Sequence, residues 1–245
     1  MKQYGLIGFP LSHSFSKKYF DDKFEKEQIK NASFSLYELK DLDTLPTLLN
    51  NNKEISGICI TIPHKKNVIP FLHWKDNAVK EIGACNCIRI ENGKLFGYNT
   101  DILGFKLSFE KYLLPHHSKA LVLGTGGASA SIEYVLKQLN IPYLLVSRNY
   151  RIEQNIITYN QITPTLLAEF KIVINCTPLG TFPNIDSCPI LPYEAITSNH
   201  YFYDLVYNPA ETMFLALAKD KGAIVQNGYN MLVFQAEENW KIWNK

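Results

Sequence analysis

The sequence predicts an α/β protein built from two domains, and three observations support this fold class. Its 245 residues suit two modest domains. Apolar strand-like runs alternate with segments of helical periodicity along most of the chain. The alternation stops at Pro115-His116-His117-Ser118 and restarts at Ala120. We expect a mixed sheet before this break and a doubly wound parallel sheet after it, because strands that alternate with helices pair in parallel.

The first hundred residues contain two strand–helix units and a hairpin. In chain order the predicted elements are a strand over 2–8, a helix over 15–30, a strand over 33–38, a helix around 43–50, and a strand over 57–62 that breaks at Pro63. Two further strands, over 87–91 and 94–98, flank Asn92-Gly93, a dipeptide that favours the positive φ angles of a tight hairpin turn. We expect this hairpin to carry the antiparallel edge of its sheet.

The second part begins with a predicted helix over 101–113, where we place the crossing between the domains. The elements predicted after it are a strand over 120–124, a helix over 128–139, strands over 143–147, 171–175 and 201–205, a helix over 212–221 and a strand over 223–226. A last helix over 230–244 is expected to fold back on the first domain. The predicted domains are therefore residues 1–100 with 229–245, and residues 101–228.

Charge and cysteine content argue against several classes of protein. The formal charge is +2, from 25 basic and 23 acidic residues without a basic run, so no nucleic-acid partner is expected. We expect no secretory leader and no membrane span. Five cysteines in mostly apolar segments favour reduced thiols and a cytoplasmic location. Cys85-Asn86-Cys87 lacks the spacing of paired zinc ligands, so no metal is expected.

A short apolar strand leads into a glycine turn, Gly124-Thr125-Gly126-Gly127-Ala128-Ser129. Glycines at such a turn let backbone N–H groups and the positive end of the following helix approach a pyrophosphate. Ser129 stands where the usual spacing has a third glycine or alanine, so the match is imperfect. The turn predicts a dinucleotide site, with a purely structural turn as the alternative.

The strand after this turn ends in Val146-Ser147-Arg148-Asn149, without the carboxylate that binds the ribose of NAD. A guanidinium instead holds a 2′-phosphate through paired charge-assisted bonds and stacks on adenine. Arg148 therefore favours NADP, with a solvated surface arginine as the alternative. The segment from Asn175 to Gly180 is expected to bring its backbone and the Thr177 hydroxyl to the same crevice. A loop built only for turning has similar residues.

Two residues are candidates for the chemistry of a nicotinamide enzyme. Lys65 follows a turn at Pro63-His64, and Asp101 follows Asn99-Thr100. Oxidation of an alcohol moves a hydride to the nicotinamide and a proton to a polar group. A partly buried lysine suits the proton transfer, because burial lowers the pKa of its amine toward neutrality. The alternatives are a solvent-exposed lysine, which Lys66 also fits, and an aspartate that caps a helix.

Several motifs, in a fixed order, resemble the shikimate dehydrogenase family. They are Gly8 to Ser16, Thr61 to Lys65, Gly83 to Asn86, Asn99 to Asp101, the glycine turn, Asn175 to Gly180, and Gly228 to Gln235. The resemblance implies reversible, NADP-linked interconversion of shikimate and 3-dehydroshikimate on the way to chorismate and the aromatic amino acids. It implies a mixed-sheet substrate domain and a Rossmann-like NADP-binding domain with a cleft between them, in a monomer or a homodimer.

The resemblance also implies roles for individual residues. It places Lys65 and Asp101 around the ring hydroxyls of the substrate, where we assign them the catalytic roles: Lys65 moves the proton, and Asp101 orients Lys65 and the reacting hydroxyl, with a share in proton transfer left open. The implied substrate contacts are Ser14, Ser16 and Thr61 at the carboxylate, Asn86 and Gln235 at the ring hydroxyls, and Tyr207. The residues that line the cofactor are Gly124, Gly126, Gly127, Ala128, Arg148, Asn149, Thr177, Leu205, Gly228 and Met231. Helix capping by Ser14 or Ser16 and turn hydrogen bonds for Asn86 are the alternatives.

Four residues depart from the family's pattern. Cys59 stands in place of the usual asparagine, so we expect a polar contact beneath the substrate loop to be missing or replaced by packing. Lys17 replaces a usual proline, and Cys85 and Cys87 replace valine and threonine. None of these changes removes a proposed catalytic group.

Three other functions compete with this one. A quinate/shikimate dehydrogenase that uses NAD differs in substrate and cofactor, but Ser14 with Ser16 favours shikimate and Arg148 favours NADP. A non-catalytic dinucleotide sensor has no need of a proton-handling pair such as Lys65 and Asp101. A folate-type dehydrogenase of similar layout is a more remote alternative.

Overall fold

The structure is a computed structural model that describes residues 1–11, 14–148 and 155–245. Among the predicted site residues, Asn149 lies outside these ranges. The chain divides into two compact units, the first formed by Met1–Thr100 with Ala236–Lys245 and the second by Asp101–Gln235. Each unit contains one six-stranded sheet, the first mixed and the second parallel. The predicted α/β fold class is therefore confirmed.

The first unit contains a sheet with the strand order β2-β1-β3-β5-β6-β4. Its elements are β1 (Lys2–Gly8), α1 (Phe15–Lys26), β2 (Ala32–Glu38), α2 (Leu45–Asn51), β3 (Ile55–Ile60), β4 (Trp74–Lys75), α3 (Asn77–Ile82), β5 (Cys87–Glu91) and β6 (Lys94–Tyr98). β1 pairs in parallel with β2 and β3. β5 is antiparallel to both of its neighbours, β3 and β6, which makes the sheet mixed.

The hairpin of β5 and β6 forms with the predicted turn, in which φ is 49° at Asn92 and 73° at Gly93. It does not form the edge of the sheet, because β4 pairs in parallel with the outer side of β6. This prediction was wrong, since a two-residue strand has no periodicity to reveal it. β4 is held by packing of its Trp74 ring against Phe96 and Tyr98, with ring centroids 6.3 and 5.3 Å apart.

The second unit contains a sheet in which all strand pairs are parallel, in the order β12-β11-β10-β7-β8-β9. Its elements are α4 (Asp101–Glu110), β7 (Ala120–Leu123), α5 (Ser129–Gln138), β8 (Tyr143–Ser147), β9 (Ile156–Thr158), α6 (Pro164–Glu169), β10 (Ile172–Asn175), β11 (Tyr201–Asp204), α7 (Met213–Lys219) and β12 (Ile224–Gln226). The chain runs outward from β7 to β9 on one side and from β10 to β12 on the other. The strand order therefore reverses between β7 and β10, as in a doubly wound sheet.

The last helix, α8 (Tyr229–Trp243), begins in the second unit and ends in the first. Its final turns pack in the core of the first unit, where the Trp243 ring stacks on Tyr4 at 4.9 Å and Trp240 meets the same ring edge-on at 5.2 Å. The end of this helix therefore belongs to the first unit, whereas residues 229–235 belong to the second. Within the described ranges, no helix combines the length and apolarity that a bilayer crossing needs.

Candidate active site

One edge of the mixed sheet collects the candidate residues of the first unit. β1 and β3 end at this edge, β5 begins there and β6 ends there, because β5 runs antiparallel to its neighbours. The segments that leave or enter these strands therefore converge. The candidate residues in them are Ser14 after β1, Thr61 and Lys65 after β3, and Asn86 before β5, and Thr100 follows β6 at the same edge.

Ser14 directly precedes α1, and Ser16 lies in the first turn of that helix. The Ser14 side chain makes no capping hydrogen bond. Its hydroxyl oxygen is buried and has no hydrogen-bond partner among the residues that the structure describes. Since buried polar groups are almost always hydrogen-bonded, this hydroxyl is suited to binding a polar ligand rather than to capping α1.

The segment after β3 is held by main-chain hydrogen bonds. The Thr61 carbonyl accepts a hydrogen bond from the N–H of His64 at 2.9 Å, and the Lys65 carbonyl accepts one from the N–H of Cys85 at 2.8 Å. Lys65 is half-buried, whereas Lys66 is exposed. The description of an ordinary solvated lysine therefore fits Lys66 and not Lys65.

Asn86 is held by Thr100, which follows β6 at the same edge. Its side chain is 3% exposed, its Nδ2 donates to Thr100 Oγ1 at 3.0 Å, and its Oδ1 accepts from the Thr100 N–H at 2.7 Å. The Thr100 hydroxyl in turn donates to Asn239 Oδ1 at 2.6 Å. Asn239 Nδ2 donates to Cys59 Sγ at 3.2 Å. A polar contact is therefore present at Cys59, and α8 supplies it; neither Thr100 nor Asn239 was predicted as a site residue.

Asp101 follows Thr100 and is the first residue of α4, 7% exposed. It lies inside the first helical turn rather than at the preceding capping position. A carboxylate in that turn interacts favourably with the positive end of the helix dipole. The structure thus gives Asp101 a helix-stabilising position one residue inside the helix, rather than the capping position considered as the alternative.

α4 and α8 touch at Gly104 in the second unit. A Cβ atom at Gly104 would lie 2.5 Å from the Met231 carbonyl oxygen and 3.1 Å from the Gln235 Cβ. Glycine is therefore what allows the two helices to approach this closely. Gln235 is half-buried, and its Nε2 donates to the Leu232 carbonyl at 3.0 Å. The predicted residues Asp101, Met231 and Gln235 thus lie on two helices in contact.

Tyr207 lies in the segment after β11 and is half-buried. Burial raises the pKa of its phenol. The phenol is therefore protonated at neutral pH and able to donate a hydrogen bond.

The glycine turn joins β7 to α5. Gly124 has a φ of 102°, which favours glycine, and a Cβ atom there would lie 3.0 Å from Thr177 Cγ2. A Cβ atom at Gly126 or Gly127 would meet nothing within 4 Å, so the turn has space at these positions. The Ser129 hydroxyl donates to the Gly126 carbonyl at 2.7 Å, which closes the turn. The imperfect position in the motif therefore has a structural role.

This turn lies where the strand order reverses, between β7 and β10. In doubly wound sheets a dinucleotide binds outside the carboxyl ends of the strands at that point. Arg148 directly follows β8, the other neighbour of β7, and is exposed. Leu205 follows β11, and a Cβ atom at Gly228 would lie 2.1 Å from the Leu205 carbonyl oxygen, so only glycine fits there. These residues share the carboxyl edge of the parallel sheet with Gly124 and Thr177.

A buried polar chain supports the same edge. The Thr177 hydroxyl donates to Asn175 Oδ1 at 2.6 Å, and Asn175 Nδ2 donates to Asp204 Oδ1 at 3.0 Å. Asp204 Oδ2 accepts from the Thr212 hydroxyl at 2.6 Å. Burial raises the pKa of the Asp204 carboxyl to about 6, against the opposing effect of these hydrogen bonds. The sequence prediction gave Asp204 no role, although a single polar residue that ends an apolar strand, as in β11, is a usable signal.

The structure therefore arranges the predicted site residues in three groups. The first is the mixed-sheet edge, the second is the contact of α4 with α8, and the third is the carboxyl edge of the parallel sheet. Their members are Ser14, Ser16, Thr61, Lys65 and Asn86 in the first, Asp101, Met231 and Gln235 in the second, and Gly124, Gly126, Gly127, Ala128, Arg148, Thr177, Leu205, Tyr207 and Gly228 at or near the third.

The chain is similar in sequence to known proteins over its whole length. The family described as the shikimate dehydrogenase substrate binding domain matches residues 6–88. A shikimate dehydrogenase (NADP(+)) of Clostridium beijerinckii is 37% identical over 260 residues, which cover 100% of this chain and 93% of the relative.

Two solved structures are similar over the whole chain. A shikimate dehydrogenase in complex with NADP+ superposes with a TM-score of 0.86 at 30% identity and covers 99% of this chain and 90% of its own. A shikimate 5-dehydrogenase of Thermus thermophilus in complex with NADP(H) and shikimate has a TM-score of 0.81 at 28% identity, with 99% and 93% covered.

Proposed function

Because the chain belongs to the shikimate dehydrogenase family, we propose that it catalyses the reversible, NADP-dependent reduction of 3-dehydroshikimate to shikimate in aromatic amino acid biosynthesis. The observation that carries this proposal is the convergence of Ser14, Thr61, Lys65 and Asn86 at one edge of the mixed sheet. Hydroxyl, amine and amide groups at a single edge suit a small, polar, carboxylated substrate.

The second unit fits the pyridine dinucleotide that this reaction requires. The positive φ of Gly124 and the open space at Gly126 and Gly127 leave room for a pyrophosphate at the N-terminus of α5. We assign the 2′-phosphate to Arg148, and the other proposed contacts are Ala128, Asn149, Thr177, Leu205, Gly228 and Met231. When bound, NADP supplies the hydride acceptor for the alcohol and, as NADPH, the hydride donor for the ketone.

The residues of the chain bind the substrate and move the proton. The hydroxyls of Ser14, Ser16 and Thr61 bind its carboxylate, while the amides of Asn86 and Gln235 bind ring hydroxyls and Tyr207 adds a further contact. Lys65 Nζ takes the proton from the reacting hydroxyl during oxidation and returns it to the carbonyl oxygen during reduction. Asp101 orients the amine and the hydroxyl for this transfer.

A steady-state assay tests the proposed function. The purified protein is supplied with shikimate or quinate, each with NADP or NAD, and formation of the reduced cofactor is followed by absorbance. We expect the highest kcat/KM with shikimate and NADP. A preference for quinate with NAD supports the broader dehydrogenase instead, and dinucleotide binding without turnover of either acid supports the sensor.

We also propose that the protein works in the cytoplasm. All five cysteines are free thiols, of which Cys59, Cys85 and Cys87 are buried. Free thiols persist in a reducing compartment.

A further inference from the structure

The side-chain amide of Asn239, in the last helix, is hydrogen-bonded to Thr100, which in turn holds Asn86 at the mixed-sheet edge. Asn239 is 0% exposed, and its partner Cys59 belongs to the apolar core of the first unit, together with Tyr4, Cys87 and Trp243. Burial of an amide in such surroundings is unfavourable unless the amide is hydrogen-bonded. Asn239 uses its oxygen for the Thr100 hydroxyl, at 2.6 Å, and its nitrogen for the Cys59 sulfur, at 3.2 Å.

The hydrogen bond to Asn239 determines where the single hydroxyl proton of Thr100 points. With that proton directed at Asn239 Oδ1, the Thr100 oxygen is left as an acceptor for Asn86 Nδ2 at 3.0 Å. The Asn86 oxygen then accepts from the Thr100 N–H at 2.7 Å. Thr100 Oγ1 also lies 3.2 Å from Asn86 Oδ1, so the hydroxyl has a second acceptor within reach. Asn239 therefore selects one of two hydrogen-bond patterns around the Asn86 amide.

We propose that Asn239 is a positioning residue for the substrate, which it influences through Thr100 by fixing the orientation of the Asn86 amide. The inference rests on the proposed function, in which Asn86 binds a ring hydroxyl of shikimate. Thr100 is bonded directly to Asp101, so the same contact also fixes the main chain that precedes the proposed catalytic carboxylate.

The arrangement also accounts for Cys59. Cys59 gives β3 a thiol and no side-chain amide at this position, and the Asn239 side-chain amide on α8 donates to its sulfur. The polar contact is thus delivered from a different element of the first unit.

Four proteins test the proposal: the unchanged chain, Asn239→Leu, Thr100→Val, and the double variant. Leucine and valine match the replaced side chains in size. In Asn239→Leu the Thr100 hydroxyl still has Asn86 Oδ1 as an acceptor, so this variant is expected to fold, whereas Thr100→Val leaves the buried Asn86 and Asn239 amides one partner short and is expected to be less stable. Measurements are kcat, the KM values for shikimate and NADP, and the free energy of unfolding in urea.

We expect Asn239→Leu to raise the KM for shikimate about threefold to tenfold, the range that corresponds to one neutral hydrogen bond. The KM for NADP is expected to stay within about twofold, since the hydrogen bond between Thr100 and Asn239 involves none of the residues proposed to bind NADP. Thr100→Val is expected to have a similar effect, and the double variant should resemble Thr100→Val alone, because Asn239 acts through Thr100. Asn244→Leu, a change of an exposed asparagine in the same unit, is the matched control and should leave both KM values unchanged.

If Asn239→Leu loses stability but keeps the KM for shikimate, Asn239 has only a structural role. If the increases in KM of the two single variants multiply in the double variant, Asn239 does not act through Thr100. Side-chain amide protons of Asn86, followed by NMR hydrogen exchange, provide a readout without turnover. They should exchange faster in Asn239→Leu, and equal exchange in both proteins overturns the proposal. If the unchanged chain does not turn over shikimate, the proposed function fails, while the NMR comparison still decides the role of Asn239.

Discussion

Adjacent residues of the same type have different surroundings at the proposed substrate edge. Lys65 is half-buried and its carbonyl is bound to the N–H of Cys85, whereas Lys66 is exposed. Because partial burial leaves less water around a side chain, we propose Lys65 rather than Lys66 as the residue that transfers the proton. The two lysines therefore form a test pair one residue apart.

Replacement of the first lysine, Lys65→Ala, is expected to lower kcat for shikimate oxidation at least about 100-fold, because loss of a general acid or base has effects of that order. The measurement is steady-state kinetics at saturating shikimate and NADP. Lys66→Ala is the control and should stay within about twofold of the unchanged protein. Unchanged turnover in Lys65→Ala would remove this residue from the mechanism.

The cofactor preference also belongs to one side chain. Arg148 is exposed and directly follows β8, where an NAD-binding site carries a carboxylate. Arg148→Ala is expected to raise the KM for NADP about tenfold or more and that for NAD much less, since NAD offers no 2′-phosphate for charge pairing. Lys137→Ala is the control, because it removes an exposed charge in the last turn of α5, far along the helix from the glycine turn. Equal losses for both cofactors would contradict the assignment.

At the scale of elements, the contact of α4 with α8 depends on the absence of a side chain. Gly104 is buried in α4, and an added Cβ atom would lie 2.5 Å from the Met231 carbonyl oxygen. Alanine favours a helix over glycine by about 1 kcal/mol. Overpacking typically costs about 1–3 kcal/mol, and a clash with main chain belongs at the upper end of that range. The clash therefore outweighs the gain in helix propensity.

We expect Gly104→Ala to reduce the free energy of unfolding by about 1–2 kcal/mol in urea titrations. The KM for shikimate should rise as well, because Gln235 lies on the helix that is displaced. Leu107→Ala changes an exposed position of the same helix, 46% exposed, and is expected to stay within about 0.5 kcal/mol. A stabilised Gly104→Ala protein would show that the two helices separate without cost.

At the scale of the whole molecule, two buried groups link stability to pH with opposite signs. Burial raises the pKa of Asp204 to about 6 from 3.8. As the pH falls from 6 to 4, Asp204 binds a proton in the folded protein but not in the unfolded chain, so the contribution of this group to stability increases on acidification. Burial, with a smaller effect of His116, lowers the pKa of His117 to about 4 from 6.5. Between pH 6.5 and 4 the unfolded chain binds a proton at His117 that the folded protein does not, so acidification destabilises the fold through this group.

The two contributions are separated by isosteric variants in urea unfolding between pH 4.5 and 7. Asp204→Asn keeps an oxygen for Asn175 and Val206, and the Thr212 hydroxyl can accept from the new amide, so the hydrogen bonds survive. Relative to the unchanged protein, this variant is expected to be more stable at pH 7, by on the order of 2–3 kcal/mol, and to lose that advantage toward pH 4.5.

His117→Asn tests the contribution of the opposite sign. The asparagine oxygen can accept a hydrogen bond from the Leu114 N–H, as His117 Nδ1 does at 3.0 Å. This variant should lose less stability than the unchanged protein as the pH falls from 6.5. Parallel stability curves for either variant and the unchanged protein would refute the corresponding pKa shift.

Local patterns in the sequence were sufficient for much of this protein. The Asn92-Gly93 hairpin and the strand over Tyr143–Ser147 have their predicted bounds, because alternation and turn propensity depend on neighbouring residues. Helix α1 ends at Lys26 instead of residue 30, since the φ of 55° at Gln28 ends the helix earlier than apolar periodicity indicates. The glycine turn was also predictable, because its requirement for small residues is local.

Tertiary structure alone decided the features that depend on partners distant in the chain. Thr100 and Asn239 are 139 positions apart, and Asn239 and Cys59 are 180 apart, so no local pattern connects them. The pKa of Asp204 and the difference between Lys65 and Lys66 likewise follow from burial, which the fold creates. The sequence by itself determined the elements and the residue types available for chemistry, because both are set by short-range covalent and steric preferences. Folding decided which of those side chains are desolvated and which partners they meet, because hydrogen bonding and burial depend on distance in space.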